Sequence, residues 1–272
     1  MMRFLKTIFD FYINSSIHVA LSVFALVNIT EILFTISTEN TTSYFAFFGT
    51  IIGYNFVKYD ALARSQKAQM RNQLKAIAIL SCIALIGSGF YFFKLQITTQ
   101  SIAVLVLILT LFYTLPFFPN KSNARNWVGI KIYIVTLCWV GVTLFLPIIN
   151  SGISLNTDVL LVAVQRFILI FVLTLIFEII DLQTDDPHLL TVPQQIGVRQ
   201  TKIAGSLLLF IFMFLEFLNT NFIFSTLFLK LEIATIVLLF LLFANEKRSK
   251  YYTSFWVESV PIFWWILMLI FS

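Results

Sequence analysis

Apolar residues in this chain run unbroken for long stretches, with no period-two alternation and no single apolar stripe. Nine such runs can be marked, at 16–36, 43–58, 76–93, 101–118, 127–149, 159–181, 203–219, 222–244 and 254–272. A helix rises 1.5 Å per residue, so about 20 apolar residues cross the hydrocarbon core of a bilayer. The strands of an outer-membrane barrel would alternate apolar and polar residues instead. The pattern predicts an all-α integral membrane protein with nine transmembrane helices. The second run is short and carries Gly49 and Gly53, a small-xxx-small spacing that predicts a close helix–helix approach. Few residues fall outside the runs, so 1–272 reads as a single polytopic membrane domain.

Composition agrees with the pattern: 59% of residues are hydrophobic, 11% are charged, and the mean hydropathy is +0.92. A soluble domain carries about 25% charged residues. The net charge of +5 calls for no nucleic acid, because the basic residues segregate. Numbering the runs in order, the N-terminus and every second loop hold Arg3 and Lys6; Lys58, Arg64, Lys67, Arg71 and Lys75; Lys121, Arg125 and Lys131; Arg199 and Lys202; and Lys247, Arg248 and Lys250. Only Lys94, Arg166 and Lys230 lie elsewhere. The positive-inside rule then sets the N-terminus in the cytoplasm and the C-terminus, after nine crossings, outside. A bacterial inner (plasma) membrane is the expected location. The N-terminal segment, with Arg3, Lys6 and Asp10, lacks a small-residue cleavage site and reads as the start of the mature chain. Cys82 and Cys138 sit inside apolar runs and read as small buried hydrophobes. With His18 and His188 they share no ligand spacing, so neither zinc nor haem is expected. A P-loop and a dinucleotide fingerprint are both missing.

Acidic residues concentrate at one place. Glu178, Asp181, Asp185 and Asp186 occupy the cytoplasmic end of the sixth run, and spacings of three and four put Glu178, Asp181 and Asp185 on one helical face. Like charges there repel, and charge near the membrane is costly, so the cluster calls for a partner. One candidate is Mg²⁺, which takes one or two carboxylates together with substrate phosphates; the other reading is a solvated helix end stopped by Pro187. Asp186 lies off the shared face and reads as a solvated neighbour. A second polar segment joins the second and third runs. Its basic residues Arg64, Lys67, Arg71 and Lys75 recur at helical intervals, as in an ordinary positive-inside loop, whereas Asn55 and Lys58 sit at the end of a span.

These segments resemble a family. The run Glu178-Ile-Ile-Asp181-Leu-Gln-Thr-Asp185, followed by Thr191-Val-Pro193-Gln-Gln-Ile-Gly197, is similar to the second aspartate-rich motif and following loop of the UbiA-type intramembrane prenyltransferases, such as the 4-hydroxybenzoate polyprenyltransferases. Tyr113-Thr-Leu-Pro116, with Lys121 and Arg125 beyond it, resembles the tyrosine–proline segment and basic loop after the family's fourth helix. The first motif, N-x-x-x-D-x-x-x-D in the family, departs: Asn55 fits, but Tyr59 and Ala63 stand at the aspartate positions, and Asp60 falls one residue late.

The resemblance implies a nine-helix bundle around a central cavity, moving an isoprenyl group from a prenyl diphosphate to a lipophilic acceptor with Mg²⁺ assisting ionisation. It implies Asp181, Asp185 and Glu178 as metal ligands, Asn55 orienting metal or diphosphate, and Tyr113, Lys58, Arg64, Lys121 and Arg125 near the phosphates. Because the first motif is degenerate, a binder or assembly protein of the same fold is the alternative. A secondary transporter is the third class. It calls for a midplane site on broken helices, whereas the carboxylates here gather at one membrane face. Among charges inside the spans, Glu31, Glu216 and Lys230 are expected to pair or to sit near interfaces. Arg166, toward the outer end of the sixth run, is expected to snorkel.

Overall fold

The computed structural model describes residues 2–36, 39–64, 71–114, 129–220 and 223–271; the side chains of 2–4, 60–64, 71–72 and 112–114 fall outside that description. Among the described residues all regular structure is helical. In order the helices are α1 (Met2–Asn14), α2 (Ile17–Leu33), α3 (Thr41–Arg64), α4 (Arg71–Phe92), α5 (Ile97–Thr114), α6 (Lys131–Val140) and α7 (Leu146–Asn150), then α8 (Thr157–Ile180), α9 (Val192–Phe214), α10 (Phe224–Phe243) and α11 (Val260–Phe271). A π-helical turn, Gly141–Phe145, joins α6 to α7, and another, Tyr252–Val257, precedes α11.

Among the described residues each of the nine apolar runs contains helix. By length and apolarity six segments suffice to cross a membrane, and the pair Leu5–Asn14 and Ile17–Leu33, bent by 56°, makes a seventh. Among the described residues α5 offers only the shorter apolar stretch Ile97–Leu111. Helix α1 was not expected from the apolar runs, because its apolar residues are interleaved with polar ones. The bend after it turns on Ser16, a left-handed residue at φ 63°.

Helix α8 is the centre of the bundle. Asn156 starts it by accepting from the Val159 amide at 2.9 Å, a side-chain cap for an otherwise unbonded donor. Its core residues Leu169, Val172 and Ile176 are fully buried against α2, α9, α10 and α11. Helix α4 is peripheral, with Ile79, Ile83 and Ile86 turned outward, as expected for a lipid-facing flank. Cys82 lies on that flank and is exposed, correcting the expectation that it is buried; Cys138 is half-buried, and both are free thiols. Of the two α3 glycines only Gly49 faces α4, where an added Cβ would lie 3.9 Å from Ser88 Oγ. A Cβ at Gly53 would meet nothing within 4 Å, whereas one at Gly87 would come 2.9 Å from the Phe48 ring.

Arg166 corrects a second expectation. It does not snorkel: it is 2% exposed inside the bundle. Its guanidinium donates to the Leu26 carbonyl and the Thr143 hydroxyl, each at 3.1 Å, and to Thr30 Oγ1 at 3.2 Å. The Trp264 ring lies 5.8 Å from it. Buried polar partners satisfy the donors without a path to the interface. Nearby, Lys230 bonds the Glu216 carboxylate and Gln165 Oε1, the latter at 2.9 Å. The expected pairing of Glu216 and Lys230 is thus present.

Candidate functional site

The two polar segments lie at the same end of the bundle without a bond between them among the described contacts. Ser16, at the start of α2, bonds Asn55 near the end of α3 at 2.8 Å, and His18 bonds the Phe255 carbonyl at 2.9 Å. Tyr252 bonds the Phe240 carbonyl at 2.7 Å, and Gln183 bonds Glu246 at 2.8 Å. Lys131, at the start of α6, pairs with Asp185 at 3.4 Å. Helix ends from all over the chain therefore share this face.

The acidic cluster grows out of the way α8 stops. Asp181 ends the helix, and its carbonyl accepts from the Thr184 and Asp185 amides, both at 2.8 Å. A 3₁₀ turn, Asp181–Gln183, follows, and Asp186 accepts from the His188 amide at 2.9 Å to start another, Pro187–Leu189. Leu190 then takes a left-handed φ of 44°, and Val192, with Pro193 behind it, opens α9. The segment 192–197, expected as loop, is thus the first turn of a helix, kinked at Gly197 (φ 78°).

The four acids do different things there. Glu178 is buried and accepts from the Val192 amide at 3.0 Å, capping α9 from outside its own helix. That leaves its other oxygen uncommitted to this cap. Asp181 is half-buried and lies within electrostatic range of Asp185 and Lys131. The Lys131–Asp185 pair has side chains 21% and 15% exposed, so it is partly desolvated. Asp186 is exposed and spends its carboxylate on the His188 turn. Thr191, in the same turn as Val192, is buried and starts α9 as the N-cap of a capping box, with the Gln194 side chain accepting from the Thr191 amide at 2.9 Å. A recess of about 360 Å³ lies alongside, lined by Gly129, Ile130, Tyr133, Val192, Gln195 and Ile196.

Among the described residues no three His, Cys, Asp or Glu side chains are grouped so as to hold a metal ion. The hard oxygens of Asp181 and Asp185 nevertheless fit Mg²⁺ in its usual protein setting, where one or two carboxylates share the ion with substrate phosphates. The fixed cation Lys131 beside Asp185 suits an anionic oxygen-rich ligand.

In the first-motif segment, Asn55 is buried with both ends of its amide engaged, Oδ1 by Ser16 and Nδ2 by Ser81 at 3.0 Å. It pins α2, α3 and α4 together. Lys58 and Tyr59 both donate to the Asn14 carbonyl, at 3.3 and 2.7 Å, closing the end of α1. Lys58 is exposed. Tyr113 and Arg64 lie on α5 and α3, with side chains outside the described residues, and Lys121 and Arg125 lie outside the described residues altogether. Sequence reasoning missed Lys131, counted as an ordinary loop cation, and Glu258, a carboxylate inside the last apolar run that faces Lys58. An acid within an apolar run was the available signal for the second.

The chain is an all-helical membrane protein with a polar, partly buried centre at one end of its bundle. Comparison with protein-family models, characterised proteins and solved structures finds no match.

Proposed function

We propose that this chain is an intramembrane prenyltransferase of the UbiA type, crossing the membrane nine times with the N-terminus and the polar site facing the cytoplasm. The observation that carries this is the grouping of Asp181, Asp185 and Lys131 at the end of α8, next to the Glu178 carboxylate that caps α9 at Val192. Carboxylates and a fixed cation at the inner mouth of an otherwise apolar bundle suit a ligand with a diphosphate head and a hydrocarbon tail.

On this reading Asp181 and Asp185 hold Mg²⁺, with Glu178 steadying the turn that presents them. When bound with substrate, the ion neutralises charge developing on the diphosphate leaving group. Lys131 sits beside Asp185 and offers its ammonium to a phosphate oxygen. The allylic C–O bond breaks with its electron pair leaving on the diphosphate. The freed allylic carbon bonds the acceptor, which sheds a proton. Apolar bundle walls exclude water from the allylic cation.

The alternative, a prenyl-lipid binder or assembly protein of the same fold, is favoured by one observation. Asn55 is saturated by Ser16 and Ser81 and so serves packing. Equilibrium binding in detergent separates both from an unrelated function: prenyl-diphosphate affinity should rise with Mg²⁺ in wild type and lose that dependence in Asp181→Asn. Affinity indifferent to Mg²⁺ in both forms would overturn the assignment. Product formation then divides enzyme from binder.

A further inference from the structure

Helix α1 differs from the spanning helices in how its apolar residues are arranged. Leu5, Ile8, Phe9 and Tyr12 follow one another at helical intervals along one side, while Lys6, Asp10 and Asn14 recur every four residues on the other. With 13 residues the helix is about 20 Å long, too short for a bilayer core of about 30 Å. It also leaves the line of α2 by 56°. With α2 along the membrane normal, that bend lays α1 nearer to the membrane plane than to the normal. A short, bent, two-sided helix fits the boundary between water and lipid, not a crossing.

The bundle covers only part of the apolar side. Phe9 packs on the Tyr251 and Phe255 rings, with centroids 5.6 and 5.1 Å away, and Tyr12 packs on His18 at 5.2 Å. Leu5 and Ile8 stay uncovered, 56% and 51% exposed. Their surroundings identify what covers them. Trp256 packs on Phe255 at 5.1 Å and is 58% exposed, at the start of the apolar segment Tyr252–Phe271 that is long enough to span. An outward tryptophan at the end of a span marks the headgroup layer. Lys250, with its ammonium 5.3 Å from the Tyr251 ring centre, is exposed, as are Lys6 and Lys58. The carboxylates nearby are Asp10, which accepts from the Tyr251 hydroxyl, and the half-buried Glu258, within electrostatic range of Lys58. Three exposed cations at a lipid boundary complement anionic headgroups.

We propose that α1 docks flat on an anionic lipid surface beside the bundle, with Leu5 and Ile8 sunk among the acyl chains and Lys6, Lys58 and Lys250 on the headgroup phosphates. The inference rests on the membrane bundle and is independent of the prenyltransferase reading. Burial of the apolar side stabilises the docked helix, and the lysines add an attraction that follows lipid charge and weakens with salt. Lys58 and Tyr59 of α3 hold the Asn14 carbonyl, and Tyr251 holds Asp10. Through these contacts the docked helix sets the depth of the bundle's polar end.

Nitroxide labels on single cysteines test this with the full chain in nanodiscs, in a Cys82→Ala, Cys138→Ala background that removes both free thiols. Leu5, Thr7 and Ile8 are exposed, so Leu5→Cys, Thr7→Cys and Ile8→Cys leave the bundle packing in place. In an equal mixture of phosphatidylcholine and phosphatidylglycerol, the Leu5→Cys and Ile8→Cys labels should relax faster with oxygen, which dissolves among acyl chains. The Thr7→Cys label should respond to a water-soluble nickel chelate instead. Adding Lys6→Gln and Lys250→Gln should lower the ratio of docked to undocked spectra about fivefold for each lysine lost. Pure phosphatidylcholine should lower it as well. Oxygen preference at all three positions would mean that α1 continues into the bilayer, and nickel preference at all three that it stands in water. Dipolar broadening in Leu5→Cys would mean that a second copy covers the face. Each of these overturns the proposal, as does a docked fraction indifferent to both phosphatidylglycerol and the two lysine changes.

Discussion

Single side chains inside this bundle are held by partners from distant parts of the chain. Lys230, Glu216 and Gln165 form a dry triad, with Gln165 Nε2 donating to Glu216 at 3.0 Å and to the Phe212 carbonyl at 3.0 Å. Removing one charge of a buried pair strands the other, at a cost of about 3–5 kcal/mol, whereas replacing both charges relieves that cost. Lys230→Met should therefore lower the denaturation midpoint in detergent steeply, and Lys230→Met with Glu216→Gln should recover most of the loss. Equal destabilisation in the two would contradict a dry pair. At this scale the sequence shows which residues need partners and not who supplies them. Arg166 illustrates the limit: distance along the run placed it near the interface, but Thr30 and Thr143 come from helices far away in sequence. Glu178 is similar, since its bond to the Val192 amide depends on a turn built by Asp186, Leu190 and Pro193.

Helices are the most legible level. Long apolar runs have no alternative to helix in a bilayer, because every backbone polar group must be satisfied within the segment. Among the described residues every one of the nine runs accordingly contains helix, and several helices extend beyond their apolar part where polar residues continue them. Helix α3 runs on to Arg64 and α9 begins at Val192. What the runs do not disclose is which face of a helix meets its neighbour. Two glycines spaced by three residues suggested the α3 contact, yet the tight fit is Gly87 of α4 against Phe48. Gly87→Ala should destabilise the bundle by about 1–3 kcal/mol through overpacking. Gly53→Ala, with open space around its Cβ, should be neutral or slightly stabilising, since alanine is favoured by about 1 kcal/mol in a helix interior. Thermal unfolding of the two variants in one detergent checks the difference in sign.

For the whole molecule, polar chemistry is polarised. One end of the bundle gathers the α8 acids, Lys131, Asn55, Lys58, His18 and Glu258; the core between is largely apolar, with Arg166 and the Lys230–Glu216 pair hydrogen-bonded inside it. Charge segregation along the chain predicts this polarity, because counting nine crossings puts the basic loops and the carboxylate cluster on one side. The candidate site was legible as residue types, since three carboxylates at helical spacing beside a membrane demand an explanation. Its geometry was not legible, because Lys131 lies 54 residues from Asp185 and only the packing of α6 on α8 joins them. The central claim is transfer of a prenyl group at this end of the bundle. It is tested most directly by supplying a labelled prenyl diphosphate and a panel of lipophilic phenols to inverted membrane vesicles carrying the chain, with and without Mg²⁺. We predict a prenylated, organic-soluble product that requires Mg²⁺ and disappears in Asp181→Asn. Intact prenyl diphosphate and no product from wild-type vesicles would contradict it.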